Sequence, residues 1–314
     1  MTVYDLKTMQ ICKVQEKTIV ALGIFDGCHL GHASVLRSAF YMAKAQKIKS
    51  LAYTFDTVGL KGQESIMTLE ERVKAIRVFG IDYLAIESLE NVRAITGEEF
   101  VKDTLMGELN AVGASCGYNF RFGKNASSSA EDLEAFFKNC GGSVQISEEI
   151  SYKSTPVSST VIRGKIKNGQ VEEILEYMRP YSIYSVVEKG KGMGKGMGFA
   201  TINQKMPQGK VVPKTGVYIT ECEIGEDVYP SVTNIGYRPT TDGENDRLNV
   251  ETHIIGYSGS LYFSCVRVNF YKYIREEKRF DRVDELVSQI EKDKNDALDY
   301  FGIHINQMKK DSFV

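Results

Sequence analysis

Residues 21–32 read ALGIFDGCHLGH, and this stretch decides how the first half of the chain is read. An apolar run from Thr18 to Phe25 stops at Asp26-Gly27, and His29 and His32 follow with Gly31 between them. The residues after His32, ASVLRSAF, have helical spacing. Two of the four histidines of the chain therefore fall where a buried strand hands over to a helix N-terminus. Unpaired backbone N–H groups and the helix dipole make such a place a ready anion site. Side chains three apart in the first helical turn can reach the same phosphate chain. Gly27 and Gly31 let a ligand approach the backbone. The plainer alternative is a strand–turn–helix unit with two solvated histidines.

Working outward, the 314 residues suggest two domains of ordinary globular composition. A formal charge of −2 offers no bulk attraction to nucleic acid or to an anionic membrane. No apolar run nears the ~20 residues of a membrane span, and the N-terminus has no signal-peptide pattern. Six scattered cysteines form no close pair, which argues against a zinc site or a disulfide framework and fits a reducing, cytoplasmic setting. Cys28 reads as a small filler residue rather than a nucleophile.

Strand and helix then alternate. Strands are expected at 51–55, 83–86, 111–116 and 144–146, and helices at 32–47, 69–79, 97–109 and 129–137. That alternation implies a parallel sheet with helices on both faces and ligands beyond the carboxyl ends of its strands. A short helix around 171–177 ends at Arg179-Pro180, which marks a boundary. Beyond it, β-type runs recur at 181–187, 216–223, 228–235, 248–255 and 261–270 without intervening helices. They predict a small antiparallel barrel, closed by an amphipathic helix at 283–301. The expected domains are 1–180 and 181–314. The loop GKGMGKGMG at 190–198 is glycine-rich and basic, with free N–H groups able to cradle phosphates. Its spacing is not that of a Walker A loop.

The segment GIFDGCHLGH resembles the nucleotide-binding signature of the nucleotidylyltransferase superfamily, shared with class I aminoacyl-tRNA synthetases. It is most similar to the adenylyltransferase half of the bacterial bifunctional riboflavin kinase/FAD synthetases. Other segments follow that family's order across nearly the whole chain. GYNFRFGK at 117–124 places Asn119 at a nucleotide-side position, while Arg121 and Lys124 read equally well as a basic surface. VSSTVIR at 157–163 matches SSTxIR, which implies that Ser159, Thr160 and Arg163 contact the triphosphate, with Ser158 open as a simple N-cap. GFATIN at 198–203 resembles GFPTAN, in which the threonine and asparagine bind Mg²⁺-ATP; Thr201 and Asn203 are kept and Ala200 replaces the proline. NIGYRPT at 234–240 matches NIGxRPT, and YIREEKRF at 273–280 matches LRxExKF, placing Arg275 near flavin or phosphates. VETHII at 250–255 matches the strand whose glutamate, here Glu251, takes the proton of the ribityl 5′-hydroxyl. On the residues alone, Glu251 and His253 would be an ordinary pair on one face of a strand.

The resemblance implies ATP-dependent phosphorylation of riboflavin to FMN in the second domain and adenylylation of FMN to FAD in the first. It implies Mg²⁺ as cofactor, and ATP, riboflavin and FMN as small-molecule partners, with no nucleic acid and no membrane; self-association stays open. The expected catalytic residues are His29, His32, Arg163 and Glu251. Gly23, Phe25, Asp26, Gly27, Gly31, Asn119, Ser159, Thr160, Gly192, Gly198, Thr201 and Asn203 are expected around nucleotide and phosphates, with Thr201 and Asn203 as metal ligands and Arg275 on the flavin. Asp26 reads better as holding the turn, a ribose or a metal than as a base. One departure stands out: family members continue the second strand as FDPHP, where this chain has FDTVG at 55–59. That bears on the flavin grip of the first domain. A chain with one weakened half and a flavin-binding regulatory protein remain the alternatives.

Overall fold

The structure is a computed structural model that describes residues 1–6, 13–56, 63–189, 201–238 and 247–311, without the side chains of 238, 247 and 303–311. Contacts divide the chain into two compact units, Met1–Val161 and Ile162–Val314.

The first unit is built in the order β1 (Thr2–Asp5), β2 (Thr18–Leu22), α1 (Leu30–Gln46), β3 (Lys49–Phe55), α2 (Leu69–Arg77), β4 (Tyr83–Glu87), α3 (Leu89–Val92) and α4 (Gly97–Glu99). A π-helix, Phe100–Glu108, continues α4, and β5 (Ala111–Gly117), β6 (Arg121–Phe122), β7 (Ser128–Ser129), α5 (Ala130–Asn139), β8 (Ser143–Ser147), β9 (Ser151–Tyr152) and β10 (Thr155–Pro156) follow. Six parallel strands form one sheet in the order β1-β4-β3-β2-β5-β8. The strand β2 is buried along its whole length, and its side chains alternate between two cores. Val20 and Leu22 join Phe100, Leu105, Leu133 and Phe137 under the π-helix and α5. Ile19 and Ala21 join Val35, Leu36, Ala39 and Ile76 under α1 and α2. The chain winds from β2 toward β4 on one side and from β5 toward β8 on the other. The reversal between β2 and β5 opens a crevice at their carboxyl ends, the position at which open α/β sheets bind ligands.

α6 (Ser159–Lys167) spans the division, and α7 (Val171–Ile174) leads into the second unit. There β11 (Tyr181–Glu188), β12 (Thr201–Lys205), β13 (Gly216–Ile224), β14 (Asp227–Arg238), β15 (Arg247–Ile254) and β16 (Cys265–Arg275) precede α8 (Val283–Asp311). The six strands close an antiparallel barrel in the order β11-β12-β15-β14-β13-β16. Inside it, a chain of hydroxyls runs Ser231–Thr220–Thr233–Thr252, each contact 2.8 Å, and all four residues are fully buried. Outside, α8 lays Ala297 and Phe301 against Ile219 and Tyr271.

The expected parallel sheet, barrel and terminal helix are therefore present. Several elements differ from the sequence reading, among them the edge strand β1 and the barrel strand β12, which it did not expect. The helix expected at 97–109 is a short α-turn widened into a π-helix, where the Leu109 N–H reaches the Thr104 carbonyl five residues back. The last barrel strand lies at Cys265–Arg275, later than the expected 261–270.

Candidate functional site

In the first unit the site is built on the turn after β2. Phe25, Gly27 and Cys28 all have positive φ, at 56°, 88° and 42°. A phenylalanine pays for that conformation sterically, so the surroundings must impose it. They do so at each residue. The Ile24 carbonyl accepts from Thr54 Oγ1 (2.9 Å) and Arg72 Nη1 (2.8 Å). The Asp26 carboxylate, 1% exposed, accepts the N–H groups of Ile66 (2.9 Å) and Met67 (3.0 Å), and the Asp26 carbonyl accepts from Ser159 Oγ (2.8 Å). Asp26 thus holds the turn, one of the roles open to it from sequence. Gly23 precedes the turn and donates its N–H to the Tyr53 carbonyl.

The turn sets the histidines. The Phe25 ring meets His32 edge-on at 5.5 Å, and His32 stacks on His29 with ring centroids 3.8 Å apart. Gly31 leaves room for this, since a Cβ there would come within 3.2 Å of the His29 ring. Desolvation lowers the His29 pKa to about 4 and holds that of His32 well below its usual value, with the neighbouring His29 and Arg72 acting in the same direction. Both imidazoles are neutral near pH 7, so they offer hydrogen bonds rather than charge. Their buried Nδ1 atoms have no hydrogen-bond partner. The positive potential comes from backbone instead. His29 is the N-cap of α1 and makes no side-chain capping bond, and α6 begins at Ser159, whose hydroxyl touches the same turn. Thr160 lies in the first turn of α6 and Arg163 one turn on. Asn119 is exposed in the tight turn after β5, where the Phe120 N–H bonds the Gly117 carbonyl.

In the second unit the strand register assembles the site. Asn203 of β12, Glu251 of β15, Asn234 of β14, Val217 of β13 and Arg275 of β16 pair in one row across five adjacent strands. Their neighbours Gln204, Val250, Thr252, Thr233 and Ile235 are buried in the barrel, so the row faces outward. Thr201 Oγ1 lies 3.2 Å from Glu251 Oε1, and Thr201 pairs with His253. Arg275 is in the row but its Nη2 is 2.7 Å from the buried Asp293 of α8, which fixes the guanidinium. Sequence reading passed over Asn234, whose Nδ2 donates to Glu277 Oε1 at 2.8 Å. Gly236 makes this possible, because a Cβ there would collide with the Glu277 carboxylate. Both residues sit within quoted motifs and could have been singled out by asking which strand pairs with that of Glu251. Hydroxyl, amide and carboxylate oxygens from Thr201, Asn203 and Glu251 form a hard donor set that suits Mg²⁺. Gly192, Gly198, Ala200, residues 57–59 of FDTVG, and Pro239 and Thr240 lie outside the described residues.

Residues 11–161 match the family model described as FAD synthetase, and residues 177–301 the model described as riboflavin kinase. A bifunctional riboflavin kinase/FMN adenylyltransferase of Bacillus subtilis is 30% identical over 298 residues, covering 92% of this chain and 94% of the relative. One from Escherichia coli K12 is 28% identical over 300 residues, covering 92% and 94%. A crystal structure described as a macrolide-efflux protein from Streptococcus pneumoniae superposes with a TM-score of 0.84 at 26% identity, covering 95% of this chain and 99% of that one.

Proposed function

Because the chain belongs to the bifunctional riboflavin kinase/FMN adenylyltransferase family, we propose that its two units carry two successive steps with different chemical needs. In the second unit ATP phosphorylates riboflavin to FMN. The nucleophile is a ribityl hydroxyl, which must lose a proton as the phosphoryl group transfers, and Glu251 accepts it. Thr201 and Asn203, beside Glu251, would hold Mg²⁺, which when bound neutralises charge on the phosphate oxygens. Asn234, in the same row, donates to Glu277, and Arg275, anchored by Asp293, stands two strands from Asn234, about 10 Å away by strand spacing.

In the first unit FMN is adenylylated to FAD and pyrophosphate leaves. The nucleophile is a phosphate oxygen, already anionic, so no base is required. What the step needs is alignment and stabilisation of charge on the triphosphate. The observation that carries this reading is the pair of neutral, stacked histidines at the N-terminus of α1, with α6 starting against the same turn. His29, His32 and the hydroxyls of Ser159 and Thr160 supply donors, and Arg163 supplies the cation. The efflux description belongs to the Streptococcus pneumoniae protein. Among the described residues of this chain no helix is long and apolar enough to cross a membrane. With ATP as substrate and no paired cysteines by sequence, the cytosol is the setting we propose.

The test is to incubate the chain with riboflavin, ATP and Mg²⁺ and separate riboflavin, FMN and FAD by chromatography. Glu251→Gln should abolish FMN formation and leave FMN-to-FAD conversion nearly intact. Replacing His29 and His32 together by alanine should do the reverse, with FMN accumulating. Wild-type FMN formation by E251Q refutes the base assignment, and equal loss of both activities in the histidine variant refutes two separate sites.

A further inference from the structure

Arg72 is 1% exposed, yet the described contacts of its guanidinium are main-chain oxygens. Nη1 donates to the Ile24 carbonyl at 2.8 Å, and Nη2 donates to the carbonyls of Phe55 (2.7 Å) and Asp56 (3.3 Å). Nε has no hydrogen-bond partner. Burying a cation is unfavourable unless it is well paired, and this one lies against the carboxyl ends of two neighbouring parallel strands. The end of β2 also borders the crevice between β2 and β5. Asp26 and Asp56 attract the guanidinium, opposing the desolvation that lowers its pKa.

We infer that Arg72 is a positioning residue for adenylyl transfer: it ties the ends of β2 and β3 together and, with Asp26, holds the 25–28 turn in the strained conformation that stacks His29 on His32. The inference rests on the reading of the first unit as the adenylyltransferase. Each link is a short contact. Arg72 fixes the Ile24 carbonyl; the next residue, Phe25, has its φ at 56°; its ring abuts His32, and His32 stacks on His29. On the far side of the turn Asp26 is fixed by Ile66 and Met67, the residues just before α2, the helix that carries Arg72. A shift of the turn by a fraction of its own width would misplace both imidazoles. Misplacement of about 1 Å costs on the order of a hundredfold in rate.

A purely structural arginine would affect stability alone. A positioning arginine has a second signature, because the titratable and charged groups acting on His32 are His29 and Arg72, with the uncharged Phe25 ring between elements. The experiment uses the full chain as Arg72→Met, Arg72→Lys and, as a control on the same helix, the exposed Arg77→Met. FMN-to-FAD turnover and KM for ATP are measured from pH 4.5 to 8.5, with riboflavin phosphorylation in the same preparations and circular dichroism at each pH as the folding check. R72M should lower kcat for FAD formation at least about tenfold with KM for ATP within about threefold, and move the acid limb of the profile to higher pH. R72K keeps the charge but cannot span two strands as a fork does; it should lower kcat while leaving the acid limb in place. R77M should match wild type. A wild-type kcat and acid limb in R72M overturn the inference. If R72M fails to fold, R72K decides: wild-type turnover in it overturns the inference equally. A wild-type chain that makes FMN but no FAD overturns the adenylyltransferase reading itself, and the inference with it.

Discussion

His29, at 6% exposure, is kept neutral by burial, with its pKa lowered from 6.5 to about 4. That neutrality has a consequence for stability whose sign follows from linkage. Above pH 6.5 the folded and unfolded chains both hold the ring neutral, and pH has no effect through it. As pH falls from 6.5 toward 4, the unfolded chain takes up a proton that the folded chain refuses, so stability declines, and below 4 the loss levels off. The full span is worth on the order of 3 kcal/mol, and His32, lowered in the same direction, adds to it. Calorimetry of the full chain between pH 7 and 4.5 should therefore show the first unit's midpoint dropping, and His29→Asn should flatten the drop. Superimposable slopes in the two proteins would refute the assignment. The same burial explains why the histidine pair was only half legible. His-x-Gly-His after a strand marked the place, but the sequence could not say that the rings stack, nor that burial removes their charge.

At the scale of elements, the barrel is held partly by polar contacts that its pattern concealed. Thr220, Ser231, Thr233 and Thr252 point inward and satisfy one another, with Thr233 bonded on both sides, to Thr220 and to Thr252. Thr233→Val removes one of the two inner hydroxyls and takes from Thr252 its described partner, while Thr220 keeps Ser231; a buried group left unsatisfied costs about 1–3 kcal/mol. Thr252→Val, at the end of the chain, strands fewer. Thermal or urea unfolding should rank T233V below T252V; equal midpoints would mean the hydroxyls re-pair. Inward threonines are also why strand alternation read weakly in this half. In β16 the difficulty is opposite: VNFYKYI is apolar on both faces because one lines the barrel and the other lies under α8 and α7, so the strand could not be phased from composition. The first unit was more legible, since β2 to β5 are buried on both faces and read as plain apolar runs. The four-residue β1, partly exposed on the sheet edge, left no such run. Within α2 the stripe Leu69, Val73, Ile76 was visible, but Arg72 falls inside it; a cation within an apolar stripe is the signal that would have found the residue now placed beneath the turn. The π-helix had a signal too, as its inward residues Phe100, Val101, Thr104, Leu105 and Leu109 recur every four to five residues rather than every three to four.

At the scale of the molecule, composition and packing place the joint between the halves differently. Composition changes at Arg179–Tyr181, where helix gives way to β-rich sequence, and our proposed domains divide there. Packing changes at Val161–Ile162. The stretch between contributes to the second unit. The Lys214 N–H bonds the Ile166 carbonyl, α7 packs on β16, and Leu175 joins Ile219, Tyr271 and Phe301 under α8. Ile166, Val171 and Ile174 are fully buried. Burying each such side chain is worth about 1.5–3 kcal/mol, against a total of about 5–15 kcal/mol for a domain. Two fragments separate the boundaries. One beginning at Ile162 keeps these contacts, and also every residue of the outward row with its partners Glu277 and Asp293. It should fold alone and phosphorylate riboflavin with Mg²⁺-ATP. One beginning at Met178 keeps the same row but loses the helical cover of β16, and should melt at least about 10 °C lower, given the few degrees that each kcal/mol is worth in a domain of this size. If both fragments melt together and are equally active, the stretch from 162 to 177 is a linker and the compositional boundary is the right one. If the longer fragment folds but phosphorylates nothing, the kinase reaction needs groups from the first unit, and the assignment of one complete site to each half fails.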